Sequence, residues 1–156
     1  MLLDAQGKFS AAQAVTSSAV GTNVVSLSVA RAIGNGEPMA VLFCVDVAAD
    51  QTTGDEDYTF DVEASSAAAQ NANVKLLGRR VFESGTPTAP AEDADLLVAG
   101  FKFAIVIPPV LASEDEIYIG VRYVTAGTSP TITMTSYLVP LSVIDASYHY
   151  PDGITI

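Results

Sequence analysis

Residues 117–139 read IYIGVRYV, then TAGTSP, then TITMTSYLV. In the first run Ile117, Ile119, Val121 and Tyr123 fall on one face, with Tyr118, Gly120 and Arg122 on the other. In the second, Ile132, Met134 and Leu138 share a face, opposite Thr131, Thr133, Thr135 and Tyr137. Two consecutive runs of period two mark half-buried antiparallel strands. The link between them holds Gly127, Ser129 and Pro130, all turn formers. The stretch therefore predicts a β-hairpin whose apolar face must meet a second sheet.

The same patterning extends outward. Phe101, Phe103, Ile105 and Ile107 alternate with Lys102, Ala104 and Val106 until Pro108-Pro109 stops the strand. Val74 to Phe82 mixes apolar and basic residues without a firm period but is still expected to be a strand, with Gly78 as a candidate bulge. Tyr58, Phe60, Val62 and Ala64 alternate with Thr59, Asp61 and Glu63, so the acidic outer face of that strand is expected to meet water. In Met39 to Val47, MAVLFCVDV, the inner face is Met39, Val41, Phe43, Val45 and Val47. Ala40, Leu42 and Cys44 make the other face apolar too, so both sides should be covered. Val25, Leu27 and Val29 open the strand series after Thr22. About seven or eight short strands with loops between them indicate an all-β antiparallel sandwich or jelly roll.

The termini read differently. Residues 1–22 are small and polar, with scattered Leu2, Leu3, Phe9, Val15 and Val20, and are expected to form an extended arm. A short helix through Ala11 to Val15 would be marginal alone. Residues 23–139 form the sandwich domain, and 140–156, after Pro140, a tail with apolar side chains that should lie on its own body or on a neighbour. Glu83 to Asp95, with Gly85, Pro87 and Pro90, is expected to be exposed and mobile.

At 156 residues and 49% apolar, one domain can bury a core without staples. Only 16% of residues are charged, which suits a surface partly covered by other chains. Eighteen acids against seven bases give −11. Phosphate-backbone binding needs clustered cations, so nucleic acid is an unfavourable partner, as is an anionic membrane. The single cysteine, Cys44, cannot form an internal disulfide. Asp4, Gln6, Gly7 and Lys8 interrupt any signal-peptide core, so cytoplasmic synthesis is expected.

Residue types for catalysis are sparse. His149 is the only histidine, and Cys44 has no evident base beside it. Nucleotide-loop and nucleophile-elbow motifs are missing. Asp55, Glu56 and Asp57 lack the spacing of a calcium loop, which favours a solvated acidic loop over a cation site. Paired carboxylates permit glycosidase chemistry, but Trp, the usual glycan platform, is absent. The expectation is a protein that is no enzyme and needs no cofactor or metal.

A family resemblance goes further. Met-Leu-Leu-Asp at 1–4, Gln6-Gly7, Phe9-Ser10, Ala-Gln-Ala at 12–14 and Asn23-Val24-Val25 with Leu27 resemble the opening of the capsid cement (decoration) proteins of Bordetella-phage type, found in tailed bacteriophages. The likeness continues through Gly34, Gly36, Glu37 and Pro38, at Leu97 to Phe101, at Pro108-Pro109 and at Ile117 to Val139. Glu83 to Asp95 and the tail after Pro140 depart from the pattern. The resemblance implies a jelly-roll protein on the outer surface of the capsid, bridging major capsid protein subunits and made in the host cytoplasm. A homo-oligomer is expected, a dimer before a trimer. Capsid-docking candidates are Leu2, Leu3 and Phe9 in the arm, then Arg79, Arg80, Tyr148, His149 and Tyr150; Arg79 and Arg80 in so acidic a chain are expected first to pair with its own carboxylates. The alternative is a carbohydrate- or host-binding β-sandwich module of a virion tail or fibre.

Overall fold

A computed structural model of the chain describes residues 7–27, 37–108 and 116–148, with side chains as far as Ile144 in the last segment. Among the described residues ten strands run in chain order: β1 (Lys8–Val15), β2 (Ala19–Val20), β3 (Val25–Ser26), β4 (Met39–Val47), β5 (Asp57–Ser65), β6 (Lys75–Glu83), β7 (Glu92–Asp93), β8 (Lys102–Val106), β9 (Tyr118–Ala126) and β10 (Ile132–Pro140). A 3-10 turn (Ala94–Leu96) precedes β8, and one helix, α1 (Leu141–Tyr148), follows β10. The strands form two sheets, ordered β1-β10-β4-β8 and β2-β9-β5-β6-β7, with β3 also pairing β9. Every pairing is antiparallel except the short β6–β7 contact. The protein is an all-β sandwich.

The alternation in the sequence chose the inner faces. Val41, Phe43 and Val45 of β4 face Tyr58, Phe60 and Val62 of β5 and Ile119, Val121 and Tyr123 of β9 in one buried core. At its centre the Phe43 and Phe103 rings stack at 5.0 Å, and Phe60 meets both from the other sheet at 5.7 and 5.0 Å. Offset and edge-to-face ring contacts of this kind add to the area-driven stabilisation.

Residues 117–139 do not form a hairpin. β9 pairs with β5 in one sheet, and β10 pairs with β1 and β4 in the other. The link is a corner between sheets, so the two apolar faces meet across the interior instead of lying side by side. Period two fixes which side chains are buried but carries no information about the hydrogen-bonding neighbour. The corner depends on Gly127 (φ +93°), where a Cβ would collide with the Asp55 carbonyl.

The N-terminal arm is likewise corrected from Lys8 onward. β1 is an integral strand on β10, with Phe9 and Val15 buried. Register shifts between Lys8 and Ser10 and between Ser10 and Gln13, with Ala12 at φ +46°, break the alternation. Bulges of this kind leave a strand without its sequence signature. Ser10 secures the junction. Its hydroxyl lies 2.6 Å from the Tyr123 hydroxyl and 2.7 Å from that of Ser136, which are 2.9 Å apart. This buried triangle ties β1, β9 and β10 across the two sheets.

After Pro140 the chain turns into α1, whose Ile144 packs on Ala40 and Val139 on the outer side of the first sheet. Leu141 N–H donates to the Pro38 carbonyl (2.7 Å), and the Ser142 hydroxyl donates to Glu37. The apolar second face of β4 is thus covered at one end by the chain's own helix. The Glu83 to Asp95 stretch is pinned more closely than expected. Glu92 and Asp93 form β7, and beyond them Ala94 and Leu97 are buried.

Candidate functional site

Of the residues expected to dock a capsid, Phe9 is corrected outright. It is fully buried in the core, and its carbonyl accepts from Asn23 N–H (2.9 Å) and the Thr22 hydroxyl (3.2 Å). A side chain already committed to its own core cannot anchor to a neighbour. Leu2, Leu3, His149 and Tyr150 lie outside the described residues, as does the side chain of Tyr148.

Arg79 and Arg80 leave β6 on opposite faces. Arg79 makes a bidentate pair with Asp61 at 2.7 and 2.8 Å on the outer face. Arg80 grips Glu92 of β7 with both guanidinium arms, and its cation lies 5.5 and 5.2 Å from the Phe82 and Phe103 ring centroids. It closes the open side of the sandwich over the aromatic core. Outside it lies a cleft of 510 Å³ whose walls include Pro90, Ala104 and Ile105. Both arginines serve the protein's own carboxylates.

The acidic outer face of β5 does not see water. Asp61 is 2% and Glu63 6% exposed. Arg122 of β9 donates to both Glu63 oxygens at 2.9 and 3.0 Å and to the Gln70 carbonyl at 2.6 Å. With Arg79, it drapes its long stem over the carboxylates while keeping its own tip nearer solvent. These charge-assisted bonds hold the guanidinium groups of Arg79 and Arg122 above their ordinary pKa. Register places the four groups in one ladder, with Asp61 opposite both Arg79 and Arg122. Gln70 lies on the same face over Gly120, where a Cβ would come within 2.7 Å of its amide carbon.

The acidic loop is organised internally. The Asp55 carboxylate accepts from the Thr53 hydroxyl (2.7 Å), Thr128 N–H (3.1 Å) and the Thr128 hydroxyl (2.9 Å). Glu56 accepts from Thr53 N–H (3.1 Å) and shares the single Thr53 hydroxyl proton with Asp55. Bonds to the charged form hold Asp50, Asp55 and Glu56 below the usual carboxylate range, with a threonine hydroxyl as the leading cause in each. The loop thereby clamps the β9–β10 corner. Among the described residues, no group of three or more His, Cys, Asp or Glu side chains is placed to hold a metal ion. Cys44 is half-buried, and burial pushes its thiol pKa up, with Lys102 acting against that rise and Asp46 adding to it. The neutral thiol is the weaker nucleophile.

A surface that the sequence concealed lies at one end of the first sheet. Val47 is 58% exposed, Val98 55% and Leu96 43%. By simple alternation Val47 belongs inside. The register shift between Val45 and Val47, which pair with Met134 and Thr133, turns it outward. Ala49 N–H donates to the Leu97 carbonyl (2.9 Å), and Gly100 N–H to the Val45 carbonyl (2.8 Å). These bonds bracket Val47 on one chain segment and Val98-Ala99 on the other, bringing the exposed aliphatics together. Exposed Asp46, Asp93 and Asp95 flank them.

These features belong to an all-β sandwich of two sheets. The sequence model of the Bbp16 family matches residues 9–137, and the chain belongs to that family. The family name points to a Bordetella phage protein. No curated protein matches the chain. Among the described residues, no helix is long and apolar enough to cross a membrane.

Proposed function

We propose that this protein is a non-enzymatic capsid cement protein that binds the outer surface of a tailed-phage head. It bridges neighbouring major capsid protein subunits and so stabilises the shell. Membership of the Bbp16 family across residues 9–137 carries this reading. The cement-protein resemblance of the sequence supplies the role, and the physical character of the chain agrees with it. A charge of −11 keeps an outer-surface protein off packaged DNA. The bidentate ladder on one sheet and the clamped corner at one end stiffen the body, and a stiff body loses little freedom on docking. Each contact resists separation of the subunits it spans, and many repeated contacts act together. A homodimer is the favoured state of the free protein.

The test mixes purified protein with empty, undecorated capsids of its own phage and follows co-sedimentation and shell melting. Saturable binding with a raised shell melting temperature is expected. No binding by the folded protein would contradict the proposal and turn attention to glycan recognition on a tail or fibre.

A further inference from the structure

The aliphatic patch at Val47, Leu96 and Val98 has the make-up of a docking surface. Large exposed apolar side chains elsewhere among the described residues, Val74, Leu76 and Val106, belong to the β6 and β8 side of the sandwich. At this corner three come together, with exposed Ala48 and Ala99 between them. The backbone beneath is fixed. Ala94 and Leu97 are fully buried, Asp93 caps the 3-10 turn by accepting from Asp95 N–H (2.8 Å), and Val45 N–H donates to the Phe101 carbonyl (2.9 Å). An exposed apolar patch on a rigid base with a charged rim is the arrangement expected of an interaction site.

The rim selects the partner. Asp46, Asp93 and Asp95 are exposed there, and Lys102, paired opposite Cys44, brings one positive charge to the same corner. In a two-fold contact a second copy would bring the same carboxylates against these, and like charges would face each other. A cationic partner gains where a copy loses. Resting on the capsid reading above, we infer that this corner docks a shell-subunit segment that projects an apolar side chain between lysines or arginines. The aliphatic side chains supply affinity by desolvation. The carboxylates steer the approach and set orientation.

The experiment measures binding of full-length protein to undecorated shells over a range of sodium chloride concentrations. The Val47→Ser/Val98→Ser double variant should raise Kd about tenfold or more, with the salt slope unchanged. Asp46→Asn/Asp95→Asn should slow association and flatten the salt dependence. Val47, Val98 and Asp95 are exposed, and the exposed Asp46 carboxylate accepts one 2.6 Å bond from the Thr135 hydroxyl that an asparagine side-chain oxygen can keep, so both variants should melt close to the wild type, which the same preparations check. Wild-type affinity and wild-type salt response in both variants would overturn the assignment while leaving the capsid reading intact. If the serine variant changed the sedimentation coefficient of the free protein without loss of shell binding, the patch would belong to a second copy, and the assignment would again be wrong. Failure of the wild type itself to bind shells would remove both proposals together.

Discussion

The buried hydroxyl triangle offers the sharpest test of how the sheets are joined. Ser10, Tyr123 and Ser136 come from three strands, and each is at most 1% exposed. Three hydroxyls in a ring can each donate once and accept once, so the group is satisfied without water. Tyr123→Phe removes the 2.6 and 2.9 Å contacts and leaves only the 2.7 Å Ser10–Ser136 bond. Each serine then loses a partner in a site water does not reach. The cost should be about 2 kcal/mol, or about 4–8 °C in Tm for a chain of this size. Ser10→Ala should cost about 1–2 kcal/mol in the wild type, and less in the Tyr123→Phe background, where the ring is already open. The coupling should be about 1 kcal/mol. Urea unfolding followed by far-UV circular dichroism measures all four proteins, since the chain has no Trp. Additive costs, or a neutral Tyr123→Phe, would refute the claim that the hydroxyls act as one unit fastening β1.

Other consequences follow from the same geometry. Deleting residues 1–15 removes β1, exposes an edge of β10 and takes Phe9 and Val15 from the core. The product should be insoluble or lack near-UV circular dichroism, whereas a free arm would leave a well-folded remainder. Gly127→Ala places a Cβ against the Asp55 carbonyl at a positive φ and should cost about 2–4 kcal/mol in denaturant unfolding. Two neighbouring carboxylates should respond oppositely to pH. Burial, then Glu83 and Asp55, raise the Asp57 pKa, so its contribution is present at low pH and lost as pH rises through the folded value. Asp57→Asn should therefore raise Tm at neutral pH, with the gain fading toward about pH 3. Asp55 is held low by Thr53 and Thr128, so its contribution is present at neutral pH and lost on acidification. Asp55→Ala should lower Tm at neutral pH and converge on the wild type in acid.

Strong alternation made much of this fold readable. β4, β5, β8, β9 and β10 each lie where period two places them; β6 is the strand expected without a firm period, and Gly78 lies at the β5–β6 register shift as expected. Partners were not readable, because β9 and β10 bury their faces whether they pair with each other or face each other across the core. Bulges hid two further features. Those in β1 disguised a core strand as an arm and Phe9 as an anchor. The one beside Asp46 hid Val47 as a surface residue. Asp61 and Glu63 looked solvent-facing because sequence spacing cannot show that Arg79 and Arg122, 18 and 59 residues away in the ion pairs they form, fold over them. The docking corner depends on β4 meeting a distant loop, so no local pattern announces it.

The central claim is that this sandwich sits on the outside of a phage head and spans capsid subunits. Cryo-electron microscopy of shells with and without added protein tests it most directly. The account predicts difference density that fits the sandwich at repeated positions on the outer surface, crossing boundaries between major capsid subunits. Shells that show no added density, or density confined to the tail, would contradict it.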